Sequence, residues 1–422
     1  MLKELNSWIG CNKKLKSLLL SISGRDQRGL LARLTEHLYK LGVQISDIGQ
    51  AVIHDELALA MIIHTDQKKT LDLAIRDVCE RLDVRFELAE TEARRIREVS
   101  SVNENSLILT LMTRGRSASA LHSVSRLAFD QNLNVDFIRQ LSSASLNFGL
   151  DRKNSLCIEM RVSGSTKNSI AAENFRKELL PLSESEDFDC SVQYDSVYRK
   201  NRRLVALDMD STLIQQEVMD ELGASQGKRH QMSQITQKAM NGELDFKQSF
   251  LERAALLKNV PTSALDEVIA GVELNEGAHR LIKSLRHFGY KTCLISGGFQ
   301  EVGDYFANEL GIDYVRANRL EIEEGKFTGN VEGEIIDADK KAELLEDISA
   351  SEGISLAQTI AVGDGANDLP MLSKAGLGVA YRAKPMVKEQ AKHAISHFGL
   401  DAILYLIGFS DADIEEALRS AS

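Results

Sequence analysis

Two carboxylates stand one residue apart in Asp208-Met209-Asp210-Ser211-Thr212, directly after the apolar run Leu204–Leu207. A turn or a helix cap at that place needs only one acid. Two acids against a core strand are costly unless a cation or a reaction calls for them. A second acidic loop, Gly363-Asp364-Gly365-Ala366-Asn367-Asp368, follows the apolar run Thr359–Val362. It sets hard oxygen ligands of the kind Mg2+ prefers among glycines that permit tight turns. Ser296-Gly297-Gly298 follows the run Thr292–Ile295 and offers a hydroxyl and backbone N–H groups to a phosphate, although a plain glycine turn also explains it. Lys340-Lys341 precedes the acidic loop, where a lysine pair is ordinarily surface charge.

The elements that must carry these residues are legible in the apolar pattern. From Leu204 onward, short apolar runs (204–207, 292–295, 359–362 and 377–380) alternate with long helical stretches, the grammar of a buried parallel sheet. Each run ends at a polar or glycine-rich loop, and active sites of open α/β sheets lie at those carboxyl ends. About eighty residues, rather than one crossover helix, separate the first two runs, so an inserted helical cap is expected at about 215–273. Upstream, residues 17–92 read as strand, helix, strand, strand, helix, strand, and the same order returns over 107–194. The fold class expected is α/β: a Rossmann-like three-layer αβα parallel sheet with an inserted helical cap, preceded by two βαββαβ (ferredoxin-like) domains. The domains are placed at 1–96, 97–200 and 201–422. The basic cluster Arg199-Lys200-Asn201-Arg202-Arg203 reads as a solvated linker, with an anion site as the alternative.

Composition narrows the function class. The chain has 422 residues with 43% hydrophobic and 27% charged, an ordinary globular balance that rules out a disordered or fibrous chain. The net charge of −11 argues against nucleic acid or an anionic membrane as partner. Five scattered cysteines without CxxC spacing argue against a disulfide framework and a zinc site. The first residues lack the apolar core of a signal peptide and no run reaches membrane-spanning length, so a cytoplasmic protein is expected.

Taken together, DxDxT at 208–212, Ser296, a lysine at 340 or 341 and GDGxND at 363–368 resemble the haloacid dehalogenase-like phosphohydrolases over roughly residues 203–400. That resemblance implies Asp208 as the nucleophile taking a phosphoryl group and Asp210 as the acid/base. It implies Mg2+ held by Asp208, the Asp210 backbone carbonyl and Asp364, with Asp368 in support. Ser296, Gly297, Asn367 and a lysine would hold the phosphate, and Lys341 is preferred to Lys340 because Lys341-Ala342-Glu343-Leu344-Leu345 matches the family's helix start. A carboxylate attacking a phosphate dianion needs such cations to offset repulsion.

The expected cap carries Glu217, nine residues after Asp208, and a helix on which Phe246, Phe250, Arg253 and Leu257 fall on one face. Arg253 there either snorkels to the rim or clamps a carboxylate. With Met240 added, the cap resembles that of phosphoserine phosphatases, which implies Glu217 on the substrate ammonium, Arg253 on its carboxylate, and Met240 and Phe246 closing over them. The activity implied is Mg2+-dependent hydrolysis of phosphoserine through an aspartyl-phosphate, the last step of serine biosynthesis. Another small phosphorylated amino acid or alcohol is the first alternative, and an amino-acid sensor with an inert phosphatase half is the second.

The front repeats resemble ACT domains, amino-acid-sensing modules. The turn Gly24-Arg25-Asp26-Gln27-Arg28-Gly29 of the first makes Asp26 and Gly29 the candidate effector residues, for serine or glycine. Arg114-Gly115-Arg116 of the second lacks their equivalents. A homodimer through these domains is the implied assembly.

Overall fold

The computed structural model describes residues 15–91, 106–115, 117–143, 155–164, 169–240 and 243–420. The chain packs as two compact units, residues 1–103 and 104–422. In the first, β1 (Lys16–Arg25), β2 (Gln44–Ile53), β3 (Glu56–Thr65) and β4 (Val84–Glu90) form an antiparallel sheet in the order β2-β3-β1-β4. Alternation along β1 and β3 sends Leu18, Leu20, Ile22, Leu57, Leu59, Met61 and Ile63 to one face. There they meet the apolar stripes of helices Leu30–Lys40 (Leu30, Leu34, Leu38) and Lys68–Arg81 (Leu71, Ile75, Cys79). The opposite sheet face carries Leu19, Ser23, Ala58 and Ala60 and is exposed, as is all of β2.

The second unit opens with the same motif: β5 (Leu107–Arg114), β6 (Leu133–Gln140), β7 (Ser155–Gly164) and β8 (Phe188–Tyr194), ordered β6-β7-β5-β8. Here β5 is buried along Leu107–Thr113, on both faces. Leu107, Leu109 and Leu111 pack under the motif's own helices, whereas Met112 and Cys157 join the core of the following sheet.

That sheet has seven strands, β12-β11-β10-β9-β13-β14-β15. At its centre lies β9 (Leu204–Leu207), flanked by β10 (Lys291–Phe299) and β13 (Thr359–Gly363), with β14 (Leu377–Tyr381) and β15 (His393–Ile395) beyond. The pairings among these are parallel, and only β12 (Lys326–Glu332) runs antiparallel, against β11 (Tyr314–Glu323). Alternate residues feed two cores, Val205 and Leu207 on one face and Leu204 and Ala206 on the other, so helices cover the sheet on both sides. Strand order runs outward in one direction from β9 to β12 and in the other from β13 to β15, which puts the topological switch point at the end of β9. Between β9 and β10, ahead of the crossover helix Ala278–His287, four helices are inserted: Val218–Ser225, Arg229–Met240, Phe246–Leu256 and Ser263–Ala270. The chain leaves and re-enters the sheet layer side by side, where Ile214 bridges Leu274.

The linker reading of residues 199–203 is corrected here. Arg199 and Arg202 are buried, Arg199 on Glu159 of β7 and Arg202 on the carbonyls of Ala357 and Gly376. Guanidinium groups bonded to a carboxylate and to carbonyls at element ends join the second repeat to the large sheet rather than float in solvent. Three alternate side chains of β8 do the same. Asp189 accepts N–H groups from Ser396, His397 and Phe398, Ser191 bonds the His393 ring, and Gln193 donates to the Leu406 carbonyl. No helix among the described residues is long and apolar enough to cross a membrane.

Candidate active site

Register places the acids. Leu207 pairs with Leu294 and Val362, so Asp208, Ser296 and Asp364 emerge together where the three central strands end. Asp208 donates its N–H to the Val362 carbonyl at 2.9 Å, which seats it on the strand end, and its Oδ1 accepts the Met209 N–H. The chain then makes a π turn, Met209–Leu213, in which Asp210 is extended and Ser211 is left-handed at φ 58°.

Lys341 is fully buried between two of these acids, with Nζ 2.8 Å from Asp208 and 2.7 Å from Asp368. Lys340 instead pairs with Glu334 and Glu343 at the surface. The helix Ala338–Ser351, capped by Asp337, accounts for the difference, because consecutive residues point about 100° apart and only one of them faces the sheet. Burial alone would lower the Lys341 ammonium, but Asp208 and Asp368 hold it above its ordinary value.

Carboxylate oxygens of Asp208, Asp364 and Asp368 all lie within 4.8 Å of one another. Burial, with Asp208 and Asp368 adding to it, pushes Asp364 up to about 7, and burial followed by Asp208 lifts Asp368 to about 6. A cluster of acids driven toward protonation carries more negative charge than Lys341 alone offsets, and three hard oxygen donors fit a divalent cation. Asp368 is already engaged, by Lys341 and by the Gly365 N–H, whereas Asp364 accepts the Thr212 hydroxyl at 3.2 Å.

Asp210 is held differently. Burial, then Glu217 and Asp208, raises its carboxyl well above the usual range, which favours the protonated form. The Val218 N–H bonds one side of it, and its Oδ1 has no partner. It faces Ser296-Gly297-Gly298. A Cβ on Gly298 would come within 2.8 Å of Asp210 Oδ2 and 3.2 Å of the Ser296 hydroxyl, so only glycine admits this approach. Ser296 is buried with its hydroxyl accepting the Gly298 N–H.

The cap contributes the remaining side chains. Glu217, at the start of helix Val218–Ser225, is raised chiefly by burial and accepts the Ser211 hydroxyl at 2.8 Å. Helix Phe246–Leu256 starts from a capping box of Asp245 and Gln248. On its inner face Phe246 stacks on Phe250 and reaches over Gly297, where a Cβ would meet its ring at 2.9 Å. Lys247 pairs with Asp337 at 2.9 Å, tying cap to sheet. Arg253 is 16% exposed, 3.7 Å from Asp220, and its Nε and Asp220 Oδ1 have no hydrogen-bond partner. Asn367 lies in the acidic loop, half-buried. The Met240 side chain lies outside the described residues. Asp26 and Gly29 belong to the first unit and sit on its exposed turn, where Gly29 adopts φ 89° with open space where a Cβ would be.

Comparison with known proteins agrees with this geometry. The haloacid dehalogenase-like hydrolase family matches residues 205–373 and the ACT domain family residues 16–88. A phosphoserine phosphatase of Streptomyces coelicolor is 35% identical over 95% of this chain and 94% of its own, and one of Mycobacterium tuberculosis is 35% identical over 95% of both. The chain belongs to the phosphoserine phosphatase family. Family membership makes it a phosphatase, with the sheet, cap and front repeats of the expected fold class. Among solved structures, a haloacid dehalogenase family hydrolase of Salmonella enterica superposes with TM-score 0.63 at 30% identity, covering 72% of this chain and 99% of that one. A probable phosphoserine phosphatase of Vibrio cholerae gives 0.56 at 30% identity, covering 76% and 90%.

Three residues of this site escape a reading by motif. Thr212 lies inside DxDxT, but its bond to Asp364 needs the two strand ends side by side. Asp337 looks like a plain helix cap and also receives Lys247. Asn318 on β11 donates to the Gly297 carbonyl at 2.9 Å and accepts the Ile336 N–H, which fixes the glycine loop from behind. Its only sequence signal is an amide in the polar stretch 316–319.

Proposed function

We propose that this chain hydrolyses O-phosphoserine to serine and inorganic phosphate through an aspartyl-phosphate at Asp208. The observation that carries the reading is a pair of unlike carboxyls on one turn. Asp208 rests against the Lys341 ammonium, and the surroundings of Asp210, burial first and then Glu217 and Asp208, favour its protonated form. An Asp208 oxygen forms the new bond to phosphorus as the bond from phosphorus to the serine oxygen breaks, and Asp210 gives its proton to that oxygen. In the second step water attacks phosphorus, Asp210 takes the proton back, and cleavage of the acyl phosphate returns Asp208 as carboxylate.

Mg2+ bound by Asp208, the Asp210 carbonyl and Asp364, with Asp368 in support, would offset repulsion between phosphate and nucleophile. Lys341, Ser296, the Gly297 N–H and Asn367 hold the phosphoryl oxygens. Glu217 receives the substrate ammonium and Arg253 its carboxylate, while Phe246 excludes water. The orphaned Arg253 Nε and the raised Glu217 support this assignment, since each lacks the partner that a zwitterion brings.

Arg253→Ala tests it. A desolvated charge-assisted bond is worth about 2–4 kcal/mol, so kcat/KM for phosphoserine should fall roughly 30- to 1,000-fold while an aryl phosphate without a carboxylate is spared. Glu217→Gln should show the same selectivity with a smaller loss. Equal losses on both substrates in a folded variant would remove the carboxylate clamp. The exposed turn at Asp26 and Gly29 supports an amino-acid effector on the first repeat, and its open sheet face supports a homodimer. Calorimetry with serine or glycine and sedimentation equilibrium, respectively, test these two readings.

A further inference from the structure

Asn275 lies where the chain returns from the cap, and it faces the back of the catalytic turn. Its side chain is buried. Its Nδ2 donates to the carbonyls of Thr212 at 2.9 Å and Ile214 at 3.0 Å, with Ser211 O a longer third partner at 3.4 Å. Its backbone N–H donates to the Leu213 carbonyl at 2.9 Å. Four successive carbonyls after Asp210 therefore converge on one residue from the other side of the cap insertion.

These bonds have a physical reason. A turn that passes through a left-handed serine at residue 211 rotates neighbouring carbonyls to one side, where the Leu213 carbonyl takes a backbone N–H across the Ile214–Leu274 bridge and the Thr212 and Ile214 carbonyls take the Asn275 side chain. An amide NH2 carries two donor protons and no charge, so it gathers these oxygens without adding a cation to the metal and phosphate site. The peptides it holds carry the chemistry on their other side. Asp210 immediately precedes the first of them, and the Thr212 hydroxyl orients Asp364.

Asn275 is itself held by a frame independent of the cap. Next to it, Glu276 pairs with Arg114 of the second repeat at 2.8 Å and with Arg382 after β14 at 2.9 Å, and the Glu276 carbonyl accepts the Leu400 N–H at 2.7 Å.

We propose that Asn275 is a positioning residue for phosphoryl transfer: its amide fixes the turn so that Asp210 and Asp364 meet the phosphate in one geometry. This rests on the roles proposed for Asp208 and Asp210. It predicts a defect in chemistry rather than in amino-acid recognition.

The test uses the full chain with added Mg2+, on phosphoserine and on an aryl phosphate. Asn275→Ala should lower kcat on both substrates by the same factor, about 10- to 100-fold, with KM for phosphoserine within about threefold of wild type. Glu276→Gln, which weakens the frame but leaves the amide in place, should keep kcat within about twofold. If Asn275→Ala does not fold, Asn275→Ser, which retains one donor, decides, and a kcat at least about fivefold low on both substrates sustains the assignment. A folded variant with wild-type kcat overturns it, as does a loss confined to phosphoserine or to KM. A wild-type chain inactive on both substrates would instead sink the phosphatase reading.

Discussion

The two βαββαβ repeats share one strand order and differ in what covers the face their helices leave bare. In the first, Leu19 on that face is 38% exposed and β2 is open along its length. In the second, Thr110 and Met112 of β5 are wholly buried, and Asp189, Ser191 and Gln193 of β8 each bond a group of the catalytic sheet. The same motif thus serves as a separate unit in one place and as an extra layer of the enzyme's core in the other. The difference lies in alternate strand positions. β1 reads Ser-Leu-Leu-Leu-Ser-Ile-Ser and buries every second residue, whereas β5 reads Leu-Ile-Leu-Thr-Leu-Met-Thr without a break.

The comparison breaks most readily at Arg199. Arg199→Ala leaves the buried Glu159 carboxylate with the longer, half-exposed Arg139 contact at 3.4 Å in place of its buried partner, and it should cost up to about 3–5 kcal/mol in denaturant unfolding of the second unit. Asp189→Ala strips three N–H groups of their acceptor and should cost about 3 kcal/mol. If either variant unfolds like wild type, the second repeat is not integral to the catalytic core.

Two pH dependences of opposite sign sharpen the picture within the second unit. Asp364 and Asp368 are raised in the folded protein to about 7 and 6, so without metal the fold keeps protons that the unfolded chain releases near its ordinary value. Their contribution to metal-free stability falls as pH rises from about 4 to 7. The gain in melting temperature on adding Mg2+ should therefore be larger at about pH 7.5, just above that window, than at about pH 5.5, inside it. An equal gain at both would remove these carboxyls from the metal site.

His393 works the other way. Burial, and then Arg176, Lys392 and Arg202, holds it well below its ordinary value, while Ser191 bonds its ring. Its contribution is complete above about pH 6.5 and is lost below, by up to about 1.4 kcal/mol per pH unit. His393→Gln should flatten that acid slope, as read from urea titrations. An unchanged slope would clear His393. The smallest effect belongs to the open face. Leu19→Ser should leave monomer stability within about 0.5 kcal/mol, and a larger loss would mean that this face is covered.

Much of this organisation is legible in the chain because strong periodicity and chemistry coincide. Apolar runs that end in acids, serine or glycine mark the three central strands, and βαββαβ recurs with its helices at the expected spacing. The reading runs out where polar residues are paid for by distant partners. Arg316, Asn318, Arg319 and Glu321 disguise β11 as a loop, and Arg199 and Arg202 look solvated because Glu159, Ala357 and Gly376 lie far away in sequence. β15, three residues long, offers no pattern at all. Within the site, adjacent Lys340 and Lys341 are chemically identical, and only helix phase separates the surface lysine from the buried one. Asn275 carries no motif, because its role depends on a turn more than sixty residues earlier.

The central claim is that Asp208 takes the phosphoryl group while Asp210 supplies the proton. Its most direct test is rapid-quench mass spectrometry of the full chain mixed with phosphoserine and Mg2+. The account predicts a transient mass gain of one phosphoryl group, about 80 Da, confined to the peptide that contains Asp208 and absent from Asp208→Asn, whose turnover is abolished. Undiminished phosphate release by Asp208→Asn, or a phosphoryl group trapped on any other residue, would contradict it.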